Sequence, residues 1–236
     1  SVTYTGSLPD QCETATTFDL TSSGSVSPAG GTYSGTGVSG TNFDASIAGV
    51  GTHIITYSVT SGACTATATN SITVSSMPSV TYTGSLPDQC ETSTTFDLTS
   101  FGSVSPAGGT YSGTGVNGTN FDAQTAGVGT HTITYTLIIG ACTNSATNSV
   151  TVVSSPTVSY SGTIPDQCET SNVFDLTSVG VVSPAGGTYS GVGVSGTNFN
   201  AQVASVGTHT ITYSVVSGSC TSTATNTIVV NAMPVV

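Results

Sequence analysis

Six Cys, three His and eleven Asp and Glu carry most of the chemistry that this 236-residue sequence could perform, and their spacing is regular. Cys12, Cys90 and Cys168 stand 78 residues apart, as do Cys64, Cys142 and Cys220, and as do His53, His131 and His209. Asp10, Glu13, Asp19 and Asp44 return as Asp88, Glu91, Asp97 and Asp122, then as Asp166, Glu169 and Asp175, with Asn200 at the fourth place. Calcium accepts carboxylate and carbonyl oxygens in flexible geometry, and extracellular modules bind it weakly at domain junctions. The pairs Asp10 and Glu13, Asp88 and Glu91, and Asp166 and Glu169 lie beside a chain-reversing Pro and are the candidate calcium ligands. No Asp-x-Asp-x-Asp-Gly loop accompanies them, and no other cofactor is expected.

The remaining candidates point away from catalysis. Each His sits alone in its copy at the start of a strand, where an imidazole can close a hydrogen bond to a turn. No nucleophile, base and orienting group are spaced as a catalytic set, so no enzyme is expected. Gly35-Thr36-Gly37-Val38-Ser39-Gly40 and its counterparts from Gly113 and Gly191 fit the dinucleotide fingerprint. That fingerprint works only between a parallel strand and a helix that receives the pyrophosphate, and no helical periodicity follows. These stretches read as glycine-rich loops. Thr65, Thr67 and Thr69 form an outward row that suits a wet strand face, O-glycans or a flat sugar- or ice-facing surface. Asn117-Gly118-Thr119 is the single N-glycosylation sequon.

Composition closes off other functions. With no Lys or Arg and a net charge of -11, the chain lacks the cations that displace phosphate counterions or dock on anionic membranes. Neither nucleic acid nor membrane insertion is expected. Lys-Asn isopeptide crosslinks cannot form, and trypsin finds no site. No apolar run approaches the roughly 20 residues needed to span a bilayer, and no signal-peptide pattern opens the sequence.

Positioning these residues are three copies in perfect register: residues 1–78, 79–156 and 157–234, with Val235-Val236 reading as the opening of a further repeat. A longer array is expected, with export signal and anchor elsewhere. The junctions around Pro78, Pro156 and Pro234 are short and fix φ, which predicts neighbours held at a nearly constant angle.

Within each copy the period is that of strands. His53, Ile55, Tyr57 and Val59 alternate with Thr52, Thr56 and Ser58, and a second alternating run covers Cys64 to Val74 after a Ser61-Gly62 turn. Further strands are expected at Val2 to Thr5, Thr16 to Leu20, Gly31 to Ser34 and near Phe43, with Phe18, Leu20, Tyr33, Phe43, Ile55 and Tyr57 as core. The fold class is therefore all-β, a tandem array of three small immunoglobulin-like β-sandwich domains. So small a core predicts a staple. One disulfide within each domain, Cys12 with Cys64, Cys90 with Cys142 and Cys168 with Cys220, would stabilise each by about 4 kcal/mol in the chain-entropy model. Pairing between repeats is the alternative and would require neighbours to interpenetrate. Either pattern implies an oxidising, extracellular compartment.

The runs Ala29-Gly30-Gly31-Thr32-Tyr33-Ser34-Gly35, Thr41-Asn42-Phe43-Asp44, Gly49-Val50-Gly51-Thr52-His53, Ile55-Thr56-Tyr57 and Cys64 resemble the repeats of giant Bacteroidetes cell-surface proteins, including SprB-like gliding-motility adhesins. The resemblance spans every copy. It implies export by the type IX secretion route and display as a long thin surface filament. The expected function is thus a mechanical and adhesive segment whose partners are neighbouring repeats, with other copies of the filament or surface polysaccharide as further candidates. A laterally associating fibre or sheath is the alternative. An accessory module of a polysaccharide-active enzyme is a third reading, weakened by the absence of Trp platforms.

Overall fold

The computed structural model describes residues 1–235; Val236, half of the expected opening of a fourth repeat, lies outside them. The fold is all-β, a tandem array of three immunoglobulin-like β-sandwich domains. In the first repeat the strands are β1 (Thr3–Thr5), β2 (Gln11–Cys12), β3 (Phe18–Asp19), β4 (Ser25–Ser27), β5 (Thr32–Ser34), β6 (Val38–Ser39), β7 (Asn42–Phe43), β8 (Gly51–Ser61) and β9 (Cys64–Ser75). One sheet runs β2-β9-β8-β5; facing it are the three-stranded β3-β7-β6 and the pair β1-β4. The same element order returns in the second and third repeats.

The core follows from the period-2 pattern. Ile55 and Tyr57 on β8 and Ile72 and Val74 on β9 turn inward to meet Tyr4, Leu8, Leu20, Phe43 and Ala45. Phe18 and Tyr33 pack against this cluster without being fully buried. One element escapes helical periodicity because it is a single turn: α1 (Ala45–Ala48). Asp44 caps its start, accepting from the N–H groups of Ser46 at 2.9 Å and Ile47 at 3.3 Å. Gly49 closes it at φ 79, a conformation open to glycine. A 3-10 turn (Leu20–Ser22) interrupts the strand expected from Thr16 to Leu20, with Asp19 accepting from the Thr21 N–H at 2.9 Å.

Packing divides the described residues into two compact units, one of Ser1–Ser85, Thr99–Gly113 and Ile133–Asn148, the other of Leu86–Leu98, Thr114–Thr132 and the chain from Ser149 on. The middle repeat contributes to both. Among the described residues no helix is long and apolar enough to cross a membrane.

Candidate functional site: the disulfide joint between repeats

The geometry of β9 decides how the cysteines pair. The β8–β9 hairpin turns through Gly62, so Ser61 faces Cys64 at its tip. From there β9 runs twelve residues to Ser75, and β2 joins its far end in parallel, with Gln11 opposite Val74 and Cys12 opposite Ser75. Cys12 and Cys64 therefore stand at opposite ends of one strand, about 36 Å apart at a rise of roughly 3.3 Å per residue. A disulfide needs Cα atoms within about 7 Å. The expected pairing inside each domain is thus corrected: Cys12 bonds Cys142 and Cys90 bonds Cys220, with Cα–Cα distances of 4.8 and 4.9 Å. The hairpin tip of one repeat is fastened to the short strand, β2 in the first repeat, that docks beside the exit end of the repeat before it, so the pairing between repeats weighed as the alternative is what occurs. Each bond lies inside one compact unit.

Polar contacts line both joints. At the first, Cys142 Sγ lies 3.2 Å from the Ser75 carbonyl, and Asn144 Nδ2 donates to the Pro78 carbonyl at 2.8 Å. At the second, Cys220 Sγ lies 3.4 Å from the Val153 carbonyl, and Ser155 Oγ lies 3.3 Å from Cys90 Sγ. Cys142 and Cys220 are wholly buried, and Cys12 and Cys90 nearly so. Cys64 and Cys168 are free thiols, the first exposed and the second half-buried. Hydrogen bonds from Thr170, side chain first and backbone second, hold the Cys168 thiol below the ordinary cysteine value.

The calcium candidates take up different positions. Glu13, Glu91 and Glu169 bind the chain where it leaves the repeat: their carboxylates accept from the N–H groups of Met77 at 2.7 Å, Ser155 at 2.8 Å and Met233 at 3.0 Å. Asp10, Asp88 and Asp166 are exposed. Among the described residues, no three His, Cys, Asp or Glu side chains gather as a metal-holding group. Asp19 and Asp44 act as caps, and Asn200 serves equally as a cap, accepting from Gln202 N at 3.0 Å and Val203 N at 3.3 Å. Capping needs an acceptor rather than a charge, which accounts for the Asn in the third repeat. In Asp44 the Ser46 hydroxyl, and in Asp122 the Thr125 hydroxyl, contributes most to holding the carboxyl below its usual range, against a smaller opposing effect of desolvation.

Each His closes a turn, with Nε2 of His53 and His131 at 2.7 Å from the carbonyls of Gly49 and Gly127, and that of His209 at 2.8 Å from Ser205. The glycine-rich loop leads through β6 and β7 to the single turn α1. Thr65, Thr67 and Thr69 are exposed, as is Asn117 of the sequon.

Sequence reasoning placed Tyr57 in the core but missed its hydroxyl. That group accepts from the Gly31 N–H at 2.7 Å and donates to the Pro28 carbonyl at 2.9 Å, tying the β4–β5 connection to the central strand. Gly31 is required by the contact: a Cβ there would stand 2.6 Å from the Tyr57 ring. The signal available was the 26-residue spacing of Gly31 and Tyr57, kept in all three copies. Tyr4 contrasts with it. Its hydroxyl is buried without a hydrogen-bond partner, and burial pushes its pKa up to about 12.

No family model matches the chain, and no curated protein matches it. Among solved structures it is similar to an endo-fucoidan hydrolase of glycoside hydrolase family 107 (12% identity, TM-score 0.23, covering 99% of this chain and 39% of that one). It is also similar to immunoglobulin domains 1–5 of Sidekick-1 (10% identity, TM-score 0.29, covering 98% and 59%). A third is extracellular domains 3–5 of Drosophila OTK (9% identity, TM-score 0.31, covering 97% and 96%). The chain thus spans less than two thirds of the first two. Scores this low transfer no function to it.

Proposed function

We propose that this chain is a structural and adhesive segment of a long extracellular cell-surface filament, and that it performs no catalysis. The observation that carries this reading is the covalent fastening of each repeat to the next by Cys12–Cys142 and Cys90–Cys220. A disulfide inside a domain stabilises that domain alone. One that crosses a joint also resists separation of the domains, which is what a segment under tension requires. Disulfides persist in oxidising compartments outside the cytosol. The residue runs that resemble repeats of SprB-like gliding adhesins of Bacteroidetes support placement on a bacterial surface. Similar repeats would present weak contacts, to surface polysaccharide or to other filaments, whose strength comes from number.

The test is immunogold electron microscopy of intact source cells with an antibody raised against one repeat. Label along single thin filaments is expected. Label on thick bundles would replace the reading with a sheath, and label confined to the medium would overturn it.

A further inference from the structure

Each disulfide spans 130 residues while the repeats step by 78, so the two closed loops share the 52 residues from Cys90 to Cys142. The bonds make two nodes in the chain. One joins Cys12 to Cys142, and the other joins Cys90 to Cys220. Three stretches of backbone run between these nodes in parallel: Cys12 to Cys90, Cys142 back to Cys90, and Cys142 on to Cys220. The outer two are 78 residues long and the middle one is 52. A pull that separates the nodes is therefore borne by the middle stretch, which becomes taut while the other two still have length to spare. Both nodes are shielded in the folded protein, since Cys142 and Cys220 are wholly buried.

We propose that this three-way connection is a covalent stop on extension, with Cys90 to Cys142 as its taut path and the two outer stretches as slack. Along the backbone Cys12 and Cys220 are 208 residues apart, a reach of about 700 Å at roughly 3.4 Å per extended residue. Through the nodes only the 52 residues of the middle stretch separate them, a reach of about 180 Å. The two bonded Cα pairs add no more than 4.8 and 4.9 Å. Unravelling under load thus releases about a quarter of the length that the chain holds between these cysteines. Bonds inside each domain would load different residues: the linkers from Cys64 to Cys90 and from Cys142 to Cys168, in series and outside every loop. Further repeats fastened through Cys64 or Cys168 would add branches to the outer stretches and leave the shortest path as it is, so the stop does not depend on what lies beyond this sequence. The proposal rests on the filament reading only for the load that it resists.

The experiment stretches the full chain between its two ends in optical tweezers, oxidised and then reduced with a phosphine. Cys64→Ser and Cys168→Ser keep the free thiols out of exchange. Reduction is expected to lengthen the unravelled molecule by about 500 Å. The decisive variants carry one flexible insert of about twelve residues, worth about 40 Å when extended, after Gly40, Gly118 or Gly196. These three glycines hold the same exposed turn in the three repeats, each with open space around it. In the oxidised protein only the insert after Gly118 is expected to lengthen the stretched molecule; in the reduced protein all three lengthen it alike. Inserts that act equally at all three turns of the oxidised protein, or at none, would overturn the proposal. Peptide mass spectrometry then shows how far the failure reaches. With Cys12–Cys142 and Cys90–Cys220 in place, the filament reading keeps the observation that carries it; with other bonds, that observation falls as well.

Discussion

In the first repeat the hairpin tip presents Cys64 exposed and Val59 half-buried; in the third, the same tip buries Cys220 and Val215. The local sequences barely differ, since Gly-Thr-His-x-Ile-Thr-Tyr leads into both tips. Burial here is therefore fixed by what precedes the repeat, and the tip is written to lie against a neighbour. Features internal to a repeat behave otherwise. The tyrosine bridge from Tyr57 recurs unchanged at Tyr135 and Tyr213, with hydroxyl-to-Gly N–H distances of 2.7 Å in all three.

The sharpest way to break this comparison is to cut one joint. Cys142→Ser should lower stability by about 2–4 kcal/mol, whereas Cys64→Ser, at the same position in a repeat with an open tip, should stay within roughly 0.5 kcal/mol in the monomer. Urea titrations of the two variants check it, and equal losses would mean that the joint adds nothing. Next in size, Tyr57→Phe and Tyr213→Phe should each cost about 1–3 kcal/mol and cost the same, because the bridge ignores neighbours. Tyr4→Phe should cost nothing or stabilise, since its hydroxyl is buried and unpartnered.

The one-turn helix separates the repeats in a different manner. Its closing residue is Gly49 in the first repeat and Ser205 in the third, and Ser205 holds φ 71 and ψ 174, a region that side chains disfavour. Ser205→Gly should raise stability by about 1 kcal/mol, seen as a higher melting temperature, while Gly49→Ser should lower it by a similar amount.

The smallest effect concerns acid. Asp44 and Asp122 titrate below the ordinary 3.8, so their caps are fully formed above that pH and weaken as pH falls through the depressed value. Asn200 carries no charge to lose. Amide exchange at Ser46 and Gln124 should therefore quicken in acid relative to Gln202, and parallel behaviour at all three would remove the charge from the argument.

Much of this was legible in the sequence because strands and repeats write themselves as periods. Ile55 and Tyr57 declared their inward face, and the step of 78 residues declared the copies. Cysteine pairing was not legible, because its decisive fact is the parallel docking of a two-residue strand at the far end of β9. No periodicity marks Gln11-Cys12, and proximity along the chain suggested partners that one strand length keeps apart. The use of the carboxylates was not legible for a related reason. Carboxylates that cap turns or clamp an exit strand recur with the repeat just as metal ligands would, and only the N–H groups they face tell the two uses apart.

The overlap of the two disulfide-closed loops has a consequence for damage. One loop spans Cys12 to Cys142 and the other Cys90 to Cys220, so every peptide bond from Cys12 to Cys220 lies within at least one of them. A protease that nicks the chain once anywhere in that stretch leaves both fragments in one covalent molecule. A chain built this way sheds no length to a first cut within that stretch, and only a second cut can free the piece between.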